Sequence, residues 1–325
     1  MCDGILQQRY RPDAATYVGS GKAREIAAVV AQHDADTIIV DDDLPPSQRR
    51  ALEDATKVKV VDRTAVILDI FAQHATSREG KAQVELAQLQ YMLPRLRGWG
   101  AALSRQAGGR AAGEAGIGSR GPGETKIEMD RRAIRNRISK LRHDIAHMAP
   151  ARDVKRESRR RKDIPTVAVV GYTNAGKSSI INCLTGSQEL VENALFATLD
   201  TAVRRAQTQD GRNYTLVDTV GFVRRLPTQL VEAFKSTLEE VSQADVILHV
   251  VDGSHPDPIS QIDAVNEVLS KIDGVEDIPQ IIAFNKSDMM SDATREHLNA
   301  IYSNAIIVSA ASGENVQIPV SYTHL

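Results

Sequence analysis

The strongest constraint on this chain is an apolar run, Thr166 to Val170 (TVAVV), followed at once by Gly171-Tyr172-Thr173-Asn174-Ala175-Gly176-Lys177-Ser178. That is the G-x-x-x-x-G-K-[ST] pattern, and it stands between a buried-strand run and the apolar helix Ser179 to Leu184. The strand–loop–helix setting is the one in which this pattern holds phosphate. Its glycines let the loop curl so that backbone amide hydrogens converge on an anion. Lys177 is then placed to reach the β- and γ-phosphates of a nucleotide, and the Ser178 hydroxyl to coordinate Mg²⁺. Ser179 completes the cradle. Cys183, in the following helix, is expected to be a buried small hydrophobe.

The downstream chain supplies the other parts in a workable order. Tyr214 to Val217 is a strand run ending at Asp218, within Asp218-Thr219-Val220-Gly221. A carboxylate there can hold the metal through water, and the Gly221 amide can sense a γ-phosphate. Between the two motifs, Thr198 is the expected second hydroxyl for Mg²⁺, with Thr201 and Thr208 as nearby competitors. The strand run Gln280 to Phe284 delivers Asn285-Lys286-Ser287-Asp288. The Asp288 carboxylate can accept from guanine N1 and the 2-amino group, a donor pair that adenine lacks. Ser309-Ala310-Ala311 follows another short run, Ile306 to Val308, where a backbone amide can meet guanine O6. The expected nucleotide is therefore GTP or GDP.

Upstream, the short apolar runs Thr37–Val40, Val58–Val61 and Ala65–Ile70 alternate with helical patterns at 21–34 and 46–56. Apolar strands spaced by helices predict a small α/β domain over 1–76 with a largely parallel sheet. Pro45 and Pro46 stand where a helix can begin but not continue. Gly19–Lys22 (GSGK) resembles half a phosphate loop, but it lacks the full frame and a hydroxyl after its lysine, so it reads as a turn and a helix start. Two amphipathic helices follow within 77–162. One covers Arg78 to Leu96, with Pro94 distorting its end. The other carries Ile134, Ile138, Leu141, Ile145 and Met148 in one stripe. They predict an antiparallel hairpin whose tip is the tract 98–123, with nine glycines in 26 positions. That tract suits either a loop closing onto phosphate or a plain flexible linker.

Charge is unevenly spread. Residues 95–162 hold 19 Lys/Arg against 7 Asp/Glu, although the whole chain has a net charge of -2. Such a segment suits a polyanion such as RNA, or equally a solvated face on long helices. No apolar run approaches the roughly 20 residues of a membrane-spanning helix. The N-terminus lacks the apolar core of a secretory signal. Two cysteines in 325 residues are too few for a disulfide scaffold, so a reducing cytoplasm is expected.

Five segments of the nucleotide-binding part, GYTNAGKSS (171–179), FATLDTAVR (196–204), DTVGFVRRLP (218–227), NKSD (285–288) and SAASG (309–313), together resemble the HflX family of the translational GTPase superfamily. More particular to that family are YVGSGK (17–22), GKAQVELAQLQYMLPRL (80–96), GSRGPGETKIEMDRR (118–132) and VEAFKSTLEEVSQADVILHVVD (231–252). The resemblance implies a small N-terminal α/β domain, a two-helix hairpin with a glycine-rich loop, and a Ras-like P-loop GTPase domain over 163–325. It also implies binding to the large ribosomal subunit and its RNA through the basic hairpin, with rescue of stalled ribosomes or splitting of the subunits. A monomer is expected. Ribosome assembly, or a non-catalytic GTP-gated RNA-binding module, are the competing readings. Family members have been linked to ATP hydrolysis through the N-terminal part, but 1–76 holds no full phosphate loop.

Lys177, Thr198 and Gly221 are the expected catalytic groups. The position after Gly221, where many GTPases keep a water-orienting glutamine, is Phe222, so hydrolysis is expected to be slow until the ribosome orders the switch segments near 190–210 and 219–230. Gln229 belongs more naturally to a following helix than to that vacant role. Asn174 is a candidate to help hold K⁺, supplying charge where no arginine finger is evident (Arg204 stays open), or else to shape the loop by a local hydrogen bond. After the serine-alanine motif only Glu314 to Leu325 remains, too short for a closing helix. An uncovered sheet face and marginal stability are expected from that.

Overall fold

The computed structural model describes residues 3–96, 122–160, 164–186, 202–208, 210–223, 230, 234 and 238–318. Most of the glycine-rich tract, Thr198 with Thr201, Arg224 to Gln229 and the final VSYTHL lie outside the described residues. The chain forms two compact units, Met1–Asp69 with Leu86–Lys140, and Ile70–Glu85 with Leu141–Leu325.

In the first unit, β1 (Thr37–Val40) and β2 (Lys59–Asp62) pair in parallel, Thr37 opposite Lys59 and Val40 opposite Asp62. Helices α1 (Ser20–Gln32) and α2 (Pro46–Thr56) supply Ala23 and Leu52 to a core shared with Leu44 and Val60. Gly19 caps α1 with φ 85°, so the GSGK segment is a turn and a helix start, as its incomplete frame implied. Pro46 opens α2, where its missing amide hydrogen costs no helical bond.

The run Ala65–Ile70 is not a strand. It lies inside α3 (Arg63–His74), whose buried Thr64, Ile67, Leu68 and Phe71 follow helical spacing. A short apolar run does not reveal its period, and Asp62 settles this one by accepting the Ala65 amide at 2.9 Å at the helix start. The Asp62 carboxylate is fully buried at the end of β2. It also accepts from Tyr91 Oη at 2.7 Å and from Arg95 Nη2 at 3.0 Å, both on α4 (Arg78–Arg95). The Arg95 guanidinium lies 3.5 Å from the centroid of the Tyr91 ring. Burial, and then the bond to Asp62, hold the Tyr91 phenol well above its ordinary range. Helix α4 ends one residue beyond Pro94.

Helix α5 (Pro122–Arg160) runs for 39 residues. Ile138 and Leu141, from the predicted stripe, are buried, while Arg132, Arg135, Arg137, Lys140 and Arg142 are exposed.

The second unit is built on six strands in the order β4-β5-β3-β6-β7-β8: β3 (Thr166–Gly171), β4 (Val203–Gln207), β5 (Asn213–Asp218), β6 (Val246–Asp252), β7 (Gln280–Asn285) and β8 (Ile306–Ile307). All pairs are parallel except β4 with β5. The central strands are buried on both sides, hence their unbroken apolar sequences. On one face α6 (Lys177–Thr185) packs Ile180, Ile181 and Leu184 against Val167, Val169 and Leu216. On the other, α7 (Pro258–Leu269) packs Val265 and Val268 against Ala168, Val170 and Ile247. Helix α8 (Asp292–Ile301) adds Leu298 beside Val251 and Phe284.

Cys183 is exposed, not buried as its small size suggested. The turn of α6 that carries Ile180, Ile181 and Leu184 inward carries Cys183 outward, where its thiol donates to the Ala310 carbonyl at 3.2 Å.

Candidate nucleotide-binding site

Parallel strands bring their carboxyl ends to one edge, and the motif residues gather there. Strand β3 ends at Gly171, so close to β6 that a Cβ on this residue would sit 2.1 Å from the Val250 carbonyl oxygen. At the far end of the loop Gly176 caps α6 with φ 90°. A Cβ at Gly176 would stand 2.2 Å from Asn285 Nδ2. Asn174, between them, takes the left-handed conformation at φ 61° with an exposed side chain. The first amides of α6 thus form the floor of an anion site.

Lys177 is 6% exposed. Its Nζ donates to the carbonyls of Gly171 at 3.2 Å and Tyr172 at 3.0 Å, folding the side chain back under the loop. Burial pushes its ammonium down to about 8, and the Asp218 carboxylate opposes that shift. Asp218 itself is buried at the end of β5.

Beyond β5 the chain stays in register with the loop. Phe222 N donates to Gly171 O at 3.1 Å, and Thr173 N to Phe222 O at 2.8 Å. This extra bridge lays Gly221 against the lysine. A Cβ there would approach Lys177 Nζ to 3.1 Å and Thr173 Cγ2 to 2.9 Å. The Phe222 ring faces the apolar cluster with Val170, Leu238 and Val241. It fills core and offers nothing to water.

The segments 285–288 and 309–310 are tied to this loop and to each other. Asn285 Nδ2 donates to Ala175 O at 2.8 Å, and Asn285 Oδ1 accepts from Ala310 N at 3.0 Å. Of the Ser309–Ala311 backbone amides that the sequence offers to guanine O6, that of Ala310 is engaged within the protein, and Asn285 ties the two segments through both ends of its amide. Ser309 Oγ donates to Asp288 Oδ1 at 2.6 Å, orienting an exposed carboxylate. Lys286, with φ 64°, pairs with Asp252 at 2.6 Å. Ser287 Oγ donates to Glu314 Oε2 at 2.6 Å, and Arg295 Nη2 donates to Ser287 O at 2.6 Å.

The structure thus brings together residues 171–179, Asp218, Gly221, Asn285 to Asp288, Ser309 and Ala310, while Thr198 lies outside the described residues. Sequence reasoning passed over Asp252 and Glu314. The first had one legible signal, an acidic residue closing a buried apolar strand at the edge where the motifs gather.

Oxygen donors of the Ser178 and Asp218 type have the hardness that Mg²⁺ requires, and a cradle of amides with a buried ammonium has the positive field that a polyphosphate requires. The sheet order and the phosphate loop define a P-loop GTPase, an enzyme that binds GTP and GDP and hydrolyses the former.

Comparison with known proteins agrees along the chain. Residues 1–72 match a family described as the N-terminal region of GTP-binding GTPases, 74–159 its middle region, and 166–286 the 50S ribosome-binding GTPases. The GTPase HflX of Caldanaerobacter subterraneus subsp. tengcongensis is 49% identical, over 93% of this chain and 69% of that protein. The GTPase HflX of Escherichia coli is 47% identical, over 89% of this chain and 66% of that protein. A solved structure described as SsGBP in complex with GDP is 27% identical with a TM-score of 0.50, covering 96% of this chain and 86% of that one. The chain belongs to the HflX family of GTPases.

Proposed function

We propose that this chain uses GTP hydrolysis to control its hold on the large ribosomal subunit, and that it acts there to split or rescue stalled ribosomes. The observation that carries the reading is the buried Lys177, held at the Gly171 and Tyr172 carbonyls with Gly221 lying against it. A lysine so placed stands in the loop that would hold the β- and γ-phosphates, where its ammonium would supply positive charge. Ser178 and Thr198 would supply the hydroxyls that hold Mg²⁺, and the Asp218 carboxylate would add to the negative charge that attracts it. When bound, the metal neutralises charge that develops between the β- and γ-phosphates. The loop amides fix the polyphosphate, the Gly221 amide meets the γ-phosphate, and Asp288 accepts from the guanine edge.

The Phe222 ring is packed in the core, so it neither orients nor deprotonates an attacking water. Hydrolysis by the chain alone is accordingly slow, and the large subunit speeds it by ordering the switch segments. The exposed basic residues of α5 support RNA as the partner surface. The organisation is an α/β domain at 1–76, a hairpin at 77–162 and the GTPase domain at 163–325. Among the described residues no helix is long and apolar enough to cross a membrane, and a monomer in the cytoplasm fits this role.

The test is sedimentation with separated and joined ribosomal subunits in GTP, GDP and a non-hydrolysable analogue. GTP-dependent binding to the large subunit, with loss of joined ribosomes, is the expected result. Turnover unaltered by large subunits rules out the activation step, and assembly intermediates bound in preference to mature subunits would favour a role in ribosome assembly. Asn174, exposed in the loop, supports a second reading for the cation: it helps hold K⁺ beside the phosphates. Equal rates in KCl and NaCl remove K⁺ from the mechanism.

A further inference from the structure

Helix α5 carries two histidines one turn apart, within His143-Asp144-Ile145-Ala146-His147. Residues four apart on a helix share a face. The side chains of this pair go further than the spacing requires. Their ring centroids lie 4.2 Å apart, with the ring planes at 77°. Both residues are exposed, whereas Leu141 is buried and Ile145 and Met148 are partly covered. The pair therefore stands on the side of the helix turned away from its apolar stripe, and neither residue takes part in the nucleotide site.

A neutral imidazole is the commonest protein ligand for transition ions. Zn²⁺ holds such a nitrogen at ~2.0–2.1 Å, so two imidazoles in neighbouring positions on one ion have ring centres about 4.5–5 Å apart. The pair needs only a small opening of its rings to reach that separation. We propose that His143 and His147 form a two-imidazole site for a divalent transition ion of the Zn²⁺ class on the exposed face of α5. Nitrogen donors select against Mg²⁺ and Ca²⁺, which take oxygen. Among the described residues no third His, Cys, Asp or Glu completes a group with the pair, so water or an external donor fills the remaining positions. The H-D-x-x-H pattern differs at its acid from the helical H-E-x-x-H of zinc peptidases. Asp144 is one methylene shorter than glutamate and the site is an open surface, so the assignment is ion binding without hydrolysis. Lys140 and Arg142 oppose a cation here, and Asp144 offsets part of that repulsion. With two protein ligands in place of four, the dissociation constant is expected at about 1–100 µM. A bound ion cross-links one turn of the helix and stabilises it by mass action.

The experiment titrates Zn²⁺ into the full chain with GDP and excess Mg²⁺ present, so that the oxygen-lined nucleotide site does not compete. The parent is compared with His143→Ala, His147→Ala and the double variant. One ion per chain should depend on both histidines. A chelate needs both rings, so each single variant should lose about tenfold or more in affinity, and the double variant little beyond that. Cu²⁺ gives a second readout: its electron paramagnetic resonance should show two coupled imidazole nitrogens in the parent and fewer in either single variant. Zn²⁺ should also slow amide hydrogen exchange across 143–147 in the parent alone. Zn²⁺ binding unchanged by either substitution overturns the proposal. Losses that simply add between the single variants overturn it as well, since they mark two independent weak sites. Should an alanine variant fail to fold, His143→Gln and His147→Gln, which keep a polar side chain on this face, decide by the same comparison.

Discussion

Asn285 reaches across the pocket to Ala175, donating its side-chain amide to that carbonyl at 2.8 Å, while its own oxygen takes the Ala310 amide at 3.0 Å. One buried residue thus joins the phosphate loop, the end of β7 and the loop after β8. Asn285→Ala strands two buried backbone groups, each costing about 1–3 kcal/mol when unpaired. A loss of about 2–4 kcal/mol in urea unfolding is expected, with GDP binding lost in the same variant. Retained affinity would mean that the three segments hold their places without the tie.

Gly176 faces the same amide. Its φ of 90° and the 2.2 Å approach of a Cβ to Asn285 Nδ2 leave no room for alanine. Gly176→Ala should abolish nucleotide binding by forcing Asn285 aside, and calorimetric titration with GDP checks it.

Lys177 should make affinity depend on pH. Its folded value, about 8, lies below the ordinary 10.5 because burial disfavours the ammonium. Above pH 8 the free protein loses this charge, so binding a polyphosphate must take up a proton. GDP affinity should fall with pH there, by up to about tenfold per unit. Calorimetry in buffers of different ionisation enthalpy would show the uptake. The effect on stability has the opposite sense. Between about 8 and 10.5 the unfolded chain binds the extra proton, so this group's contribution to stability rises with pH through that window and is lost as pH falls through 8. Lys177→Ala should remove nucleotide binding at every pH.

Asp288 is exposed and oriented by Ser309 Oγ at 2.6 Å. Asp288→Asn exchanges an acceptor for a donor and should move preference from guanosine to xanthosine nucleotides. Competition between GDP and XDP measures it, and an undiminished guanine preference would take Asp288 out of base recognition.

Phe222 stands where a glutamine would orient water in related enzymes, yet its ring is 2% exposed among Val170, Leu238 and Val241. Phe222→Gln should not raise turnover. It should lower stability by about 2–4 kcal/mol, from lost apolar burial and an amide placed among hydrocarbon. Faster hydrolysis by this variant would show that the position faces the phosphates after all.

Much of this arrangement was legible along the chain. The strands TVAVV and NYTLVD announce themselves because both their faces are buried, as is the second half of QIIAFN, and the loop and NKSD motifs stand at the ends of two of the three. Ala65–Ile70 misled because six apolar-rich residues suit either period. Asp62 and the pairing of Phe71 with Phe234, ring centroids 5.2 Å apart, select the helix. Cys183 misled because composition says nothing of which side of a helix is covered.

Local sequence determined the kind of elements and the phosphate loop, since each depends on neighbours within a few residues: glycines at a turn, a lysine and hydroxyl at a helix start. Only the tertiary structure decided who holds those groups in place. Asp252 lies 34 residues from Lys286, and Asn285 lies 110 from Ala175. No local pattern encodes such pairs. They meet because parallel strands bring distant segments to one edge of the sheet, where buried polar groups must find partners among whatever the fold delivers.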